Sequence, residues 1–168
     1  MFATVRNTFF QILIFAVVFQ GISTIREIDM LSTDTKLEIS GNVQFTQIPT
    51  VMGETVSLLS KGKKTVIYFF APWCQICHVS IGNLQSLYEK NNDIDVIAVA
   101  LDFANITEVE SFTKQHQLTF PVALGNEEIK QRFSISAYPS YYVIDEQNTV
   151  IAKSMGYSSE LGLYLRSL

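Results

Sequence analysis

The 168-residue chain has two cysteines, Cys74 and Cys77, and they are separated by only two residues. This spacing is typical of a redox dithiol, in which one sulfur attacks a disulfide and the other releases the product. Residues 65–70 form a continuous apolar, β-rich run before the pair, and apolar residues recur at helical spacing after it. A strand followed by a helix start would leave the Cys74 sulfur exposed next to unpaired N–H groups, which favour the thiolate. Cys77 would lie on the same helix face as the resolving thiol.

His78, directly after the pair, leaves other hypotheses open. Cys-x-x-Cys-His is also the attachment signature of c-type haem, with Met52 or Met155 as a possible axial ligand. The two thiolates could instead carry copper or zinc, or form a structural disulfide. The haem hypothesis explains neither the buried strand before the motif nor the later pair Tyr138 and Pro139, and we expect neither a cofactor nor a resident metal.

The elements around the motif alternate between strands and helices, which predicts an α/β fold. Residues 65–101 form a strand-helix-strand unit, which indicates a parallel strand pair with a right-handed crossover. Thr107 and Glu110 resemble a capping box and predict a helix to about residue 116. The other predicted elements are short strands at 43–45 and 55–59, a strand at 118–124, a helix at 126–133 capped by Asn126, a hairpin of 141–144 with 150–152, and a last helix capped by Ser158 or Ser159.

Charge and length limit the possible functions. Residues 26–168 carry 11 basic and 16 acidic residues, a formal charge of −5, with no run of lysines or arginines. Nucleic acids and anionic membrane surfaces are therefore poor partners. A body of this length forms one ordinary domain with its own core.

The N-terminal segment differs from the rest of the chain. Residues 8–25 are uncharged, and as a helix they would measure ~27 Å, close to the hydrocarbon thickness of a bilayer. We predict a short leader at 1–7, a single transmembrane anchor at 8–25, a tether at 26–42 and a domain at 43–168. A cleaved signal segment is the alternative. Either way we expect an exported domain, on the periplasmic side of the inner membrane.

Two motifs carry a family resemblance. Residues 71–77, Ala-Pro-Trp-Cys-Gln-Ile-Cys, resemble the active site of the thioredoxin fold, and residues 137–140, Ala-Tyr-Pro-Ser, resemble its cis-proline loop. With the uncharged N-terminal segment and the insertion around residues 102–116, the chain resembles membrane-anchored thiol:disulfide oxidoreductases of the TlpA/ResA/DsbE group, with the suppressor-for-copper-sensitivity protein D branch as the nearest resemblance.

The resemblance implies a fold and a set of roles. The fold is a mixed central sheet flanked by helices. Cys74 is the nucleophile and Cys77 the resolving thiol, and Trp73 shapes the surface that binds clients. Pro139 is preceded by a cis peptide bond and lies within contact distance of Cys74. Tyr138 offers its backbone N–H and C=O to the client.

The resemblance also implies partners. It favours a reductase of exported thiol/disulfide proteins such as apocytochromes, supplied with electrons by a membrane donor. One position departs from the pattern: Tyr68 stands where thioredoxins have a buried aspartate that assists the second cysteine. Glu54, Asp102 and water are then the candidates for accepting the proton of Cys77. We expect the second histidine, His116, to be a solvated surface residue.

Overall fold

A five-stranded mixed sheet forms the centre of the fold, and the computed structural model describes residues 10–15, 17, 27–37 and 45–168. The sheet consists of β3 (Lys64–Phe70), β4 (Ile94–Ala100), β5 (Val122–Leu124), β6 (Ser140–Ile144) and β7 (Val150–Met155), and a separate hairpin consists of β1 (Ile48–Pro49) and β2 (Thr55–Val56). The strand order is β5-β4-β3-β6-β7. The first three are parallel, and β6 is antiparallel to both β3 and β7.

Helices cover both faces of the sheet. They are α1 (Gln75–Lys90), α2 (Ile106–Gln115), α3 (Glu127–Arg132) and α4 (Glu160–Arg166). Side chains of β3 alternate between two cores: Tyr68 packs with residues of α1, α2 and α4, and Phe69 packs with residues of α3 and the β1–β2 hairpin. Because a central strand is buried on both sides, its sequence is continuously apolar rather than alternating.

The topology brings several candidate residues to one end of the sheet. β3 ends at Phe70 and its parallel neighbour β4 ends at Ala100. β6 runs the other way and begins at Ser140, which lies opposite Phe69. The cysteine motif, the residues that follow β4 and the Tyr138–Pro139 bond therefore occupy the same end.

The predicted α/β fold with a mixed central sheet is confirmed, and most predicted elements agree with the structure. The predicted cap at Thr107 is wrong. The helix begins two residues earlier because Asn105 accepts the backbone N–H of Glu108 through its side chain, at 3.2 Å, while the Glu108 carboxylate accepts the N–H of Ala104 at 3.1 Å. The strand predicted at 43–45 lies mostly outside the described residues, and Phe45 is in a turn.

The predicted leader and most of the predicted anchor also lie outside the described residues. Residues 10–15 and 17 are helical, and their side chains are exposed. In the ranges that the structure describes, no helix combines the length and the apolar composition needed to cross a membrane.

Part of the predicted tether packs on the domain. We call residues 27–37 the strap. Met30 and Leu37 are buried in the core beside α3, where burial removes their apolar surface from water, whereas the neighbouring Ile28 is exposed. The strap is held by hydrogen bonds from Leu31 N–H to the Tyr142 hydroxyl (3.0 Å), from Lys153 Nζ to the Glu27 carbonyl (2.9 Å) and from Leu37 N–H to the Asn148 carbonyl (2.8 Å).

Candidate active site

A disulfide joins Cys74 and Cys77 at the start of α1. Cys74 is the N-cap residue, and its Sγ accepts the backbone N–H of Cys77 at 3.2 Å. That N–H and the helix dipole both favour negative charge on Sγ, so the first turn stabilises the Cys74 thiolate once the disulfide is reduced. The expectation of an exposed Cys74 is wrong for the disulfide form, because its side chain packs into the core and is 6% exposed. Cys77 is completely buried.

Three hydroxyl-bearing residues, Tyr68, Ser80 and Tyr141, lie beneath Cys77, and we call them the floor. The Tyr68 hydroxyl is 3.2 Å from Ser80 Oγ and donates to the Cys77 carbonyl oxygen at 3.4 Å. The rings of Tyr68 and Tyr141 are 4.9 Å apart. Burial, and next the neighbouring Tyr141, raise the pKa of Tyr68 far above its ordinary value, and burial raises the pKa of Tyr141 to about 12. Both hydroxyls therefore stay protonated at neutral pH and cannot accept the proton of Cys77.

A second group, Trp73, Asp102, Lys130 and Tyr138, forms what we call the rim. The Asp102 carbonyl accepts Trp73 Nε1–H at 2.9 Å. The Asp102 carboxylate accepts Lys130 Nζ at 2.7 Å and the Tyr138 hydroxyl at 2.9 Å. The Trp73 and Tyr138 rings meet edge to face at 5.9 Å. One residue, Asp102, thus holds both aromatic rings, and Trp73 directly precedes Cys74 in the chain.

The charge on Asp102 follows from these contacts. Burial alone would raise the pKa of its carboxyl, but hydrogen bonds from Lys130 and Tyr138 outweigh burial and hold the pKa below its usual range. Because a carboxylate with a lowered pKa is a weak base, Asp102 is poorly suited to remove the proton of Cys77. Glu54, the other carboxylate considered for that task, is exposed in the turn between β1 and β2.

The peptide bond between Tyr138 and Pro139 is cis, as predicted. Pro139 is buried, and its carbonyl accepts the N–H of Gly156 at 2.8 Å. Within the described ranges, neither the backbone N–H nor the C=O of Tyr138 has a hydrogen-bond partner. Both groups are therefore available to an extended client segment, as in strand addition. The contact between the Pro139 ring and Cys74 stays a prediction.

The two histidines contact each other, so the expectation of a solvated His116 is wrong. His78 Nδ1 lies 2.7 Å from His116 Nε2, and His78 Nε2 lies 2.9 Å from the Pro72 carbonyl oxygen. Both rings pack on Phe112, at centroid distances of 4.6 and 4.7 Å. The haem hypothesis needs both sulfurs and a free ring nitrogen of His78. In the structure the sulfurs are bonded to each other and both nitrogens have partners, which favours the redox dithiol.

An open groove of about 480 Å³ lies beside the cysteine motif, between the start of α1 and the helix α2. Trp73 and Phe112 supply aromatic surface, and Asn105, Glu108 and Ser111 supply polar groups. Trp73 is 62% exposed. Its exposure agrees with the predicted role in shaping a surface for clients.

The fold and the cysteine pair define a class of enzyme, the thiol-disulfide oxidoreductases with a thioredoxin-like fold. Comparison with known proteins agrees with this class. The chain belongs to the AhpC/TSA family, whose model matches residues 42–153.

The names of individual relatives state the same activity. The chain is 30% identical over 148 residues to the thiol-disulfide oxidoreductase ResA of Oceanobacillus iheyensis, which covers 83% of this chain and 73% of that protein. It is 29% identical over 112 residues to the sporulation thiol-disulfide oxidoreductase A of Bacillus subtilis, covering 64% of this chain and 68% of that protein. The chain is therefore an enzyme of the thiol-disulfide oxidoreductase type.

Solved structures agree with the fold. The crystal structure of StoA from Bacillus subtilis matches with a TM-score of 0.66 at 26% identity, over 73% of this chain and 95% of that chain. A putative thiol:disulfide interchange protein DsbE from Chlorobium tepidum matches with a TM-score of 0.67 at 22% identity, over 81% and 95% of the two chains. At that identity the second match concerns the fold alone.

Sequence reasoning found the cysteine pair and the cis-proline but missed most of what surrounds them. Asp102 was considered only as a proton acceptor, although it organises the rim. Nothing in the sequence indicated a role for Lys130, because it is an ordinary helical lysine that lies 28 residues after Asp102 in the chain. The contact between His78 and His116 was also missed, since nothing local links residues that are 38 positions apart.

Proposed function

We propose that the chain reduces disulfides in exported proteins, using Cys74 as nucleophile and Cys77 as resolving thiol. The observation that carries this proposal is the arrangement at the start of α1, where Cys74 Sγ accepts the Cys77 N–H while Cys77 is buried behind it. The backbone N–H and C=O of Tyr138, which have no hydrogen-bond partner among the described residues, supply a place for the client strand.

The steps follow from thiol-disulfide exchange. The Cys74 thiolate attacks one sulfur of a client disulfide, a mixed disulfide forms, and the other client sulfur leaves as a thiolate that takes up a proton. Cys77 then loses its proton and attacks Cys74 Sγ, which forms the internal disulfide and releases the second client thiolate. The client gains two electrons and the enzyme loses two. A membrane electron donor, as the family resemblance implies, would then restore the dithiol.

The proton of Cys77 needs an acceptor, and neither the floor nor the rim offers a good one. The floor hydroxyls have raised pKa values, and the Asp102 carboxyl has a lowered pKa. We therefore assign this proton to water or to the departing client thiolate.

Export and anchoring are part of the same proposal and rest on residues 8–25. The uncharged stretch is long enough to span a bilayer, and the side chains of Phe10 and Ile12 are exposed in the helical part that is described. The domain would then work on the periplasmic side of the inner membrane. Fractionation of cells that express the full chain, followed by protease treatment of spheroplasts, checks this. Recovery of the full chain in the cytoplasmic fraction would contradict it.

Trapping tests the reaction. Cys77→Ala removes the resolving thiol, so the full-length variant should accumulate mixed disulfides through Cys74. The matched control, Cys74→Ala, retains one thiol of the pair but should trap nothing. Identification of the trapped proteins gives the clients. If Cys77→Ala traps nothing under oxidising and reducing conditions alike, the proposal fails and the thiolate metal carrier becomes the better hypothesis.

The direction of the reaction is tested separately. Equilibration of the full chain with glutathione mixtures gives its reduction potential. A reductase of exported proteins needs a potential well below that of the usual oxidants, because its dithiol must give up electrons readily. A potential in the range of strong oxidants would contradict the reductive direction while leaving the enzyme class intact.

A further inference from the structure

The ring of His78 is fixed at both nitrogens, and this determines where the protons lie. The Pro72 carbonyl can only accept, so His78 Nε2 must carry a hydrogen and donate it across 2.9 Å. In a neutral ring, His78 Nδ1 is then an acceptor, and His116 Nε2–H donates to it across 2.7 Å. Among the described residues, His116 Nδ1 has no hydrogen-bond partner.

This arrangement can accept one proton without losing a contact. A proton that binds His116 Nδ1 leaves both hydrogen bonds unchanged. A second proton would have to bind His78 Nδ1, which would remove the bond between the rings and place two cations side by side. The geometry therefore accommodates a single added proton, at His116 Nδ1.

The groups around the two histidines determine the pH at which His116 takes up this proton. Burial lowers the pKa of His116, and the nearby His78 lowers it further. The acidic residues that line the groove next to His78 are already engaged: Asp102 binds Lys130, and Glu108 accepts the N–H of Ala104. At neutral pH His116 is consequently neutral.

The pair lies alongside the nucleophile. His78 follows the resolving cysteine directly, and its backbone N–H donates to the Cys74 carbonyl at 3.2 Å, one helical turn away. Its ring reaches back to Pro72, two residues before Cys74. One side chain thus holds together the segments on both sides of the reactive sulfur.

We propose that His78 is a positioning residue that fixes the Pro72–Cys74 segment, and that the His78–His116 pair takes up one proton in mildly acidic solution and thereby stabilises the Cys74 thiolate. The inference rests on the proposed function, because it concerns the reactivity of the same sulfur. On acidification, a larger fraction of Cys74 would remain as the thiolate than in an isolated thiol that has the same reactivity at neutral pH.

The matched variants are His116→Gln and Lys114→Gln. Gln at position 116 can still donate an N–H to His78 but cannot be protonated. Lys114→Gln removes an exposed cation from the same helix and controls for general charge. Both are made in the full chain with Cys77→Ala, which leaves Cys74 as the only thiol, because the chain has two cysteines.

The measurement is the rate of Cys74 alkylation by an uncharged reagent as a function of pH. At about pH 5.5 we expect His116→Gln to react about twofold more slowly than its parent, and at about pH 8 equally fast. Lys114→Gln should change the two rates by the same factor. Identical profiles of parent and His116→Gln would overturn the proposal, as would a difference that persists undiminished at about pH 8.

A spectroscopic measurement gives a second outcome. The chain has only two histidines, so the imidazole resonances of the untagged full chain report this pair alone. We expect His116 to take up its proton at a pH below the ordinary histidine range. Protonation of His116 in the ordinary range would overturn the proposal. A chain that shows this lowered protonation of His116 but neither traps nor reduces disulfides would instead contradict the proposed function.

Discussion

The floor and the rim surround the same cysteine pair with different kinds of interaction. The floor consists of neutral hydroxyls and packed rings, and Tyr68 and Ser80 in it are completely buried. The rim is partly exposed and depends on an ion pair, in which the side chains of Lys130 and Asp102 are 26% and 35% exposed. Buried aromatic surface contributes more to stability than a screened ion pair. The comparison teaches that the floor mainly stabilises the fold, whereas the rim mainly fixes the orientation of Trp73 and Tyr138.

The largest effect is expected for the floor. Tyr68→Ala should lower the free energy of unfolding by about 3–5 kcal/mol, because it removes a fully buried ring. Tyr68→Phe keeps the ring, so this variant should lower the free energy of unfolding by only about 1 kcal/mol. Urea unfolding of the full chain in the disulfide form measures both. Equal losses would mean that the hydroxyl contacts, and not the packing, make the floor stable.

The two thiols should differ in reactivity, because Cys74 caps the helix and Cys77 contacts the floor. Cys74 should have a pKa below the free-cysteine value of ~8.5, and Cys77 should not. In the reduced chain Cys74 should therefore be alkylated at least about tenfold faster at neutral pH. Rates against pH, with the modified peptides identified by mass spectrometry, measure this. Equal and unshifted reactivity of the two thiols would contradict the assignment of Cys74 as nucleophile.

A smaller effect is expected at Pro139, which is buried and directly follows Tyr138 of the rim. Pro139→Ala should slow mixed-disulfide formation with a disulfide-containing peptide about fivefold, because the Tyr138 backbone would no longer be held ready for the client. Pro121→Ala, at an exposed proline before β5, is the control and should not change the rate. An unchanged rate in Pro139→Ala, with the fold intact, would exclude this proline from client binding.

The smallest effect is expected for the charge of the rim. Because the pKa of Asp102 is lower in the folded than in the unfolded chain, its ionised form stabilises the fold. Asp102→Asn should cost about 0–1 kcal/mol at neutral pH, and the difference should vanish as the pH falls through the folded-state pKa. Asp93→Asn, an exposed carboxylate, is the control. Unfolding of wild type and variants at several pH values measures this. If the stability difference between wild type and Asp102→Asn grows on acidification, the ionised carboxylate does not stabilise the fold.

The sequence predicted those parts of the site that depend on neighbours in the chain. The strand, the cysteine pair and the helix follow one another, so their spacing alone positions Cys74 at the helix start. The cis bond was predicted because a proline just before an apolar strand needs a special reason, which the family resemblance supplied.

The parts that were missed depend on tertiary contacts or on competition between equivalent local signals. The bond between His78 and His116 forms only when α1 and α2 pack against each other. Asn105 and Thr107 are both acceptable caps, and the sequence contains nothing that decides between them. In the strap, the buried side chains of Met30 and Leu37 hold the segment against the domain, which sequence patterns alone do not reveal.

The strap also affects how copies of the chain behave toward each other. β7 forms one border of the sheet, and the strap covers its beginning: Asp34 N–H donates to the Val150 carbonyl, and Val150 N–H donates to the Thr35 carbonyl, both at 2.8 Å. Unpaired backbone at a sheet border can template the addition of a strand from another molecule. Proteolytic removal of the strap would therefore promote aggregation of the enzyme, even though both cysteines and the cis bond would be untouched.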